Sequence, residues 1–186
     1  MNYECVVAHC NFRLRGDESD GDEQFVRDMC AKMYVPCFVN TFDTHKFADE
    51  TGLSIQMAAR KLRYDWFYEL AEKENCSYIA LAHNSDDQVE TAILNFTRGT
   101  GIRGVSGMKP LVGKLFRPLI EVSRADIVQI STEDNIPFHN DSTNATTKYA
   151  RNKVRHMVIP LLDEINVVAK VNNLKSVSYF AETERI

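Results

Sequence analysis

Residues 78–107, YIALAHNSDDQVETAILNFTRGTGIRGVSG, decide the fold predicted for this chain. The apolar run at residues 78–82 is short enough to be a buried strand, and the sequence turns polar at His83. Ser85 followed three residues later by Gln88 is typical of a capping box, in which two side chains satisfy free backbone N–H groups. The pattern therefore predicts a strand, a polar turn and a helix that begins near Asp86.

Three carboxylates lie at the start of this predicted helix. Asp86 and Asp87 occupy its first turn, and Glu90 follows one turn later on the same side. Capping alone could explain one or two of them, because the helix dipole favours each negative charge by about 0.3–1 kcal/mol. Their crowding beside His83, at the carboxyl end of a strand, favours a site that binds a hard cation or transfers a proton.

The segment RGTGIRG, residues 98–104, follows the helix. Its glycines, Gly99, Gly101 and Gly104, would let a ligand approach the backbone closely, and its two arginines offer planar donors for phosphate. An ordinary helix C-terminus is the alternative, but it needs only one glycine. We therefore predict a loop that contacts an anion.

The motifs of this chain resemble those of the tRNA(Ile)-lysidine synthetases, members of the PP-loop ATP pyrophosphatase superfamily that are also labelled MesJ cell-cycle proteins. The resemblance covers residues 6–166. It rests on AHNSDDQVET with LNFTRGTGIRGVSGM, AHCNFRLRG at residues 8–16, LSIQMAARKLRYDWF at residues 53–67, RPLIEVSRADI at residues 117–127 and DSTNATTKYARNKVRH at residues 141–156. Motifs that are ordered and spaced in this way are far more specific than a single glycine fingerprint.

The resemblance implies an α/β fold with a parallel sheet, adenine nucleotide alpha hydrolase-like (PP-loop, Rossmann-like). This catalytic domain would span residues 1–166, and residues 167–186 would form a C-terminal helical extension. The family places an earlier strand and a Ser-Gly-Gly-X-Asp-Ser phosphate loop before residue 4, and neither occurs in this sequence. We therefore expect weak ATP binding, and a strand at residues 4–9 that pairs with residues 78–82 or with a second copy, as a homodimer.

The resemblance also implies a reaction. Such enzymes use ATP and Mg²⁺ to adenylate the C2 oxygen of the wobble cytidine in tRNA(Ile) with a CAU anticodon, and free lysine then displaces AMP to give lysidine. The implied catalytic residues are His83, Asp86, Asp87, Glu90 and Arg98, with Asp86, Asp87 and Glu90 binding the metal or the lysine ammonium group. The implied nucleotide-binding residues are Ala8, His9, Arg60, Arg63, Gly99, Gly101 and Arg103, and the implied RNA-binding residues are Arg117, Arg151 and Arg155.

Two other functions fit the same residues. A metal-dependent hydrolase could use His83 and the three carboxylates without ATP. An inactive remnant could keep the fold and bind RNA only.

The arginines at positions 60 and 63 could equally be solvated side chains on a helix surface.

Composition narrows the class of protein. The chain has 186 residues, 44% of them hydrophobic, and no apolar run approaches the roughly 18 residues that span a bilayer. Its five cysteines include no CxxC pair, which favours reduced thiols and a cytoplasmic protein.

The net charge is −4, yet residues 98–156 hold ten Lys and Arg against five Asp and Glu. A polyanion could dock there, although a solvated surface explains the charge equally well.

The remaining elements follow from capping and periodicity. Strands are predicted at residues 4–9 and 37–42, an extended segment at residues 114–120, and helices at residues 19–34 and from Ser54 to about residue 75. Ser123 and Asp126 form a second predicted capping box, for a helix that ends near residue 134. Residues 141–149 should form a turn, and further helices should follow from residue 151 and over residues 167–185. Phe25, Val26, Met29 and Met33 are predicted core positions of the first helix.

Overall fold

The computed structural model describes residues 4–139, 150–166 and 169–183 of an α/β protein. The turn predicted at residues 141–149 lies outside the described residues. Contacts divide the chain into two compact units, Met1–Ile79 and Ala80–Ile186.

The first unit is built on a parallel strand pair. Strand β1, Val7–Asn11, pairs with β2, Cys37–Thr41, in a register that sets Val7 beside Cys37. Helix α1, Asp17–Lys32, connects the strands and packs against both. This βαβ arrangement confirms the predicted parallel sheet, although β1 begins later than predicted. Met33, a predicted core residue, is 64% exposed because it follows the last turn of α1.

Two further helices complete this unit. Helix α2, Thr44–Thr51, was not predicted, and Asp43 caps it by accepting a hydrogen bond from the Lys46 N–H group at 3.0 Å. Helix α3, Ile55–Lys73, begins where predicted, because the Ser54 hydroxyl oxygen accepts from the Met57 N–H group. Helices α2 and α3 pack against each other.

The second unit begins at the end of a very short strand. Strand β3, Ile79–Ala80, belongs to a three-stranded sheet with the order β3-β5-β4, in which β4, Leu111–Val112, and β5, Leu115–Phe116, form an antiparallel hairpin. The predicted strand at residues 78–82 is therefore shorter than expected, and Tyr78 is 59% exposed. Helix α4, Ser85–Thr97, and the short helix α5, Ile102–Val105, lie between β3 and β4.

Helices form the rest of this unit. Helix α6, Arg124–Glu133, has the predicted capping box of Ser123 and Asp126. Helix α7, Ala150–Lys153, runs through a π-helical turn, Val154–Val158, into helix α8, Ile159–Ile165, and helix α9, Ala169–Thr183, follows. Helix α9 packs against α4, α5 and α8. No helix in the described ranges is long and apolar enough to cross a membrane.

A small apolar cluster joins these helices. Val89 of α4 packs with Val154 of the π-helical turn and Ile159 of α8, and all three are buried. Ile93, Leu94 and Leu174 pack around them. The cluster holds the helical segment after residue 150 against α4, and it thereby brings side chains from distant parts of the sequence to the start of that helix.

Candidate active site on helix α4

Helix α4 begins one residue earlier than the sequence predicts. Asn84 is the N-cap: its Oδ1 accepts from the Asp87 N–H group at 3.1 Å, and Asp87 Oδ2 accepts from the Asn84 N–H group at 3.0 Å. The predicted box of Ser85 and Gln88 is therefore wrong. Asn84 is extended and places its amide over the first turn, whereas Ser85 is already helical, 2% exposed, and donates its N–H to Val122 O.

The three carboxylates of α4 have different hydrogen-bond partners. Asp86 Oδ2 accepts from the Arg124 N–H group at 2.9 Å, Asp87 closes the capping box, and Glu90 is 1% exposed. Throughout the described residues, no three His, Cys, Asp or Glu side chains are grouped so that they could hold a metal ion. Asp86 bonds the Arg124 backbone, whereas Asp87 and Glu90 face the same two arginines, Arg151 and Arg155. The predicted Mg²⁺ site made by all three stays a prediction.

Glu90 is paired with an arginine from the π-helical turn. Arg155 Nε donates to Glu90 Oε1 at 2.6 Å and Arg155 Nη2 donates to Oε2 at 3.1 Å, a bidentate ion pair. Arg155 Nη2 also lies 3.5 Å from Asp87 Oδ1. Its guanidinium is turned onto α4, and the predicted contact of Arg155 with RNA stays a prediction.

Arg151 completes this group one turn earlier. Its Nη2 donates to Thr91 Oγ1 at 2.9 Å, and its guanidinium lies 3.6 Å from Asp87 Oδ1 and 3.8 Å from Glu90 Oε2. These distances are longer than hydrogen bonds, and the side chain is 40% exposed. Its predicted contact with RNA stays a prediction. We call Asp87, Glu90, Arg151 and Arg155 the α4 cluster.

Burial sets the electrostatics of the α4 cluster. Burial raises the pKa of Glu90, the negative charge of Asp87 adds to this, and Arg155 and Arg151 oppose it. Burial alone would lower the pKa of Arg155, but Glu90, Asp87 and Asp86 outweigh it and raise that pKa. Two carboxylates face two guanidinium groups, so their formal charges balance.

Arg117, predicted to contact RNA, is buried. It is 8% exposed, its N–H donates to Pro110 O at 2.8 Å, and its Nη1 donates to Lys109 O at 2.7 Å. Its Nε has no hydrogen-bond partner within the part of the chain that the structure describes. The buried side chain holds residue 109 and the backbone N–H holds residue 110, and the predicted contact of Arg117 with RNA stays a prediction.

The glycine segment has several structural explanations. Gly99 has φ +71° and follows the C-cap residue Arg98, so it ends α4 in the way that glycine commonly does. Gly101 is the N-cap of α5, and a Cβ on Gly104 would collide with the Thr100 side chain. The alternative of a helix end therefore accounts for Gly99. The predicted ligand contact of Gly101 remains a prediction, as do those of Arg98 and Arg103, whose side chains are exposed.

A contact that the sequence did not reveal fixes the loop after α5. Gln88 Nε2 donates to Met108 O at 2.9 Å, and the Met108 N–H donates to Gln88 Oε1 at 2.5 Å. Gly107, with φ +72°, lies against this amide, and a Cβ there would sit 2.5 Å from Gln88 Oε1. A glycine at residue 107 was the only local signal, and it could not identify Gln88 as the partner.

The other predicted nucleotide-binding residues belong to the first unit. Ala8 and His9 lie on β1, where they pair with Phe38 and Val39. Burial lowers the pKa of His9, although Glu23 and Asp22 oppose this shift. Their contact with adenine remains a prediction.

Two arginines of α3 stack on aromatic rings. The Arg63 guanidinium lies 5.3 Å from the centre of the Phe12 ring, and Arg60 lies 4.6 Å from that of Tyr64. Arg60 and Arg63 stay predicted nucleotide contacts.

Sequence reasoning missed Asn11, which is 3% exposed and donates to both Asp20 and Glu23.

Residues 1–162 match the protein family described as the PP-loop domain. The chain is also similar to curated proteins named tRNA(Ile)-lysidine synthase. That of Parabacteroides distasonis is 45% identical over 186 residues, which are all of this chain and 42% of that protein. That of Bacteroides thetaiotaomicron is 41% identical over 184 residues, 99% of this chain and 43% of that protein. The chain thus spans less than half the length of these relatives.

A solved structure shares the fold. The U34-tRNA thiolase NcsA from Methanococcus maripaludis, with its [4Fe-4S] cluster, matches with a TM-score of 0.70 over 95% of this chain and 61% of that chain. The two sequences are 16% identical, so the match shows the fold alone.

Proposed function

We propose that this chain, which belongs to the PP-loop domain family, is the catalytic domain of a tRNA(Ile)-lysidine synthetase. The observation that carries the proposal is the 45% identity to such a protein along all 186 residues. In the proposed reaction the C2 oxygen of the wobble cytidine attacks the α-phosphorus of ATP and pyrophosphate leaves. The ε-amine of free lysine then attacks C2, and AMP leaves.

Asp87 is the proposed partner of the lysine ammonium group. Its side chain is 15% exposed, and its Oδ1 lies 3.5 Å and 3.6 Å from two guanidinium groups, beyond ordinary hydrogen-bond length. An incoming ammonium group could therefore form a shorter contact with Asp87 than either arginine does. Glu90 is less suited to this role, because Arg155 already holds both of its oxygens.

A base must remove a proton from the lysine ammonium group before the amine can attack. His83 is half-buried and directly precedes the cap of α4, so it remains our candidate for this proton transfer. Arg98 is exposed at the other end of α4, and it remains a candidate contact for phosphate or the RNA backbone.

Mg²⁺ enters the proposal with the phosphate oxygens of ATP, which commonly supply much of its coordination. Glu90 is committed to Arg155 and Asp87 is assigned to the lysine ammonium group, so Asp86 is the predicted carboxylate left to the metal. Within the described ranges no three potential ligands are grouped to hold a metal ion, so this geometry does not favour a metal-dependent hydrolase.

The proposal can be tested in a chimaera. This chain would replace the matching residues of the Parabacteroides distasonis enzyme, and incorporation of labelled lysine into a tRNA(Ile) transcript with a CAU anticodon would be measured with ATP and Mg²⁺. We expect lysine incorporation and AMP release. A chimaera that neither incorporates lysine nor releases AMP would refute the proposal and favour an inactive RNA-binding remnant.

Asp87→Asn tests the lysine contact in the same chimaera. The amide oxygen can still accept from the Asn84 N–H group, so the helix cap is kept while the negative charge is lost. We expect lysine incorporation to fall at least about 100-fold, in the range found when charge stabilisation is lost. Asp65→Asn, on the exposed ion pair with Lys61, is the matched control and should remain active. Equal activity of both variants would contradict the role of Asp87.

A further inference from the structure

Residues 98–120 contain five Lys and Arg and no Asp or Glu, in a chain whose net charge is −4. Arg117 is buried, but Arg98, Arg103 and Lys109 are exposed and Lys114 is half-buried. This acid-free segment includes the whole β4–β5 hairpin. This segment of an acidic protein is therefore locally basic in sequence, and a polyanion is the class of partner that such a segment attracts.

The hairpin adds an exposed apolar pair to this charge. Leu111 and Phe116 are direct cross-strand partners and are 49% and 40% exposed. The Arg117 N–H donates to Pro110 O, which continues the strand pairing beyond β4 by one residue. Lys109 is exposed and directly precedes Pro110 at the base of the hairpin. We call Lys109, Leu111 and Phe116, with Lys114 at the hairpin turn, the hairpin face.

The base of the hairpin face is held from two sides. Gln88 binds both backbone groups of Met108, and Arg117 binds the carbonyl oxygens of Lys109 and Pro110 through its side chain and backbone. A surface fixed in this way loses little conformational entropy when a ligand binds.

We propose that the hairpin face binds a single-stranded loop of RNA, with a nucleobase stacked on the Phe116 ring and phosphates beside Lys109 and Lys114. An exposed aromatic ring between cations is the combination that unpaired nucleotides recognise, whereas a duplex keeps its bases stacked on each other. This inference rests on the proposed function and names a surface that meets the tRNA.

The test measures binding of a fluorescent stem-loop RNA with a CAU loop to the full 186-residue chain over a range of salt concentrations. Lys109→Gln with Lys114→Gln should reduce the salt slope by about 1.4, two lost phosphate contacts on a single strand. Phe116→Ala should weaken binding by about tenfold without changing the slope. Lys46→Gln with Lys61→Gln, two exposed lysines of the first unit, is the matched control and should bind as the parent does.

Three results would overturn the inference. These are unchanged affinity and slope in the Lys109 and Lys114 variant, equal binding of the stem-loop and a blunt duplex of the same length, and no binding of the stem-loop at low salt. Lysine incorporation by the chimaera separates this inference from the proposed function. A chimaera that forms lysidine while the hairpin variants bind RNA normally refutes only the surface, and an inactive chimaera with the predicted binding losses refutes only the function.

Discussion

Glu90 and Arg155 are 65 positions apart, yet their side chains form a bidentate ion pair with distances of 2.6 Å and 3.1 Å. Glu90 is 1% exposed and lies on α4, whereas Arg155 lies in the π-helical turn between α7 and α8. Single π-helical turns within helices occur frequently at functional sites. The pair joins the two helical segments directly beside Asp87.

Arg155→Met should destabilise the fold by about 3–5 kcal/mol, because it leaves the buried Glu90 carboxylate without its partner. Urea unfolding of the 186-residue chain, followed by circular dichroism, measures this change. Lys61→Met removes an exposed ion pair with Asp65 and should cost at most about 1 kcal/mol. Adding Glu90→Gln to Arg155→Met should recover part of the loss, and a double variant that is less stable than Arg155→Met alone would contradict this account.

The stability of the Arg155→Met variant should decrease as pH rises. Burial already raises the pKa of Glu90 above its ordinary 4.5, and loss of Arg155 removes the main opposing interaction. The folded state then binds the Glu90 proton more tightly than the unfolded chain does. Stability is therefore greatest below the unfolded pKa and falls as pH rises from that value through the raised one. Unfolding measured at a series of pH values should show this fall, and adding Glu90→Gln should abolish it.

Gly107→Ala should destabilise the protein more than Gly113→Ala. Both glycines have positive φ, so alanine is strained at either position by about 1–2 kcal/mol. A Cβ on Gly107 also meets Gln88 Oε1 at 2.5 Å and Val177 Cγ1 at 2.9 Å, whereas Gly113 has open space. Urea unfolding of the two variants isolates the collision from the backbone strain. Equal losses would show that the Gln88 amide yields without cost.

Gln88→Met should release the Met108 backbone. The variant lacks both hydrogen bonds to Met108, so hydrogen exchange at the Met108 amide should accelerate and stability should fall by about 1–3 kcal/mol. Gln129→Met is the matched control, because the Gln129 side chain is exposed on α6 and hydrogen-bonds Glu133 on the same helix. Unchanged exchange at Met108 would mean that other contacts hold this loop.

Neutralising Arg117 should leave the salt dependence of RNA binding unchanged. Its guanidinium is buried against Lys109 O, so it releases no counterions when a phosphate binds. Arg103→Gln, at an exposed position of the same segment, should reduce the slope by about 0.7. A smaller slope in folded Arg117→Gln would return Arg117 to the RNA interface.

Local sequence signals predicted those parts of the fold that depend on neighbouring residues. Ser54 and the pair Ser123 and Asp126 begin helices where predicted, because a cap needs only a side-chain oxygen and backbone groups two or three residues away. The same rule misplaced the start of α4, since Asn84 and Ser85 both carry a suitable oxygen and the backbone conformation selects between them. Periodicity alone also left Met33 wrongly assigned to the core.

The sequence by itself determined the α/β class, the parallel strand pair and the motifs that show the PP-loop family, because these depend on local spacing and on the order of residues along the chain. Only the tertiary structure decided which charges are available for chemistry. The sequence does not distinguish Arg117, Arg151 and Arg155. In the structure, Arg117 is buried against the Lys109 carbonyl oxygen, Arg151 stays partly exposed and Arg155 is paired with Glu90. The energy of a charge depends on the burial and partners that surround it, and packing brings those together from distant segments.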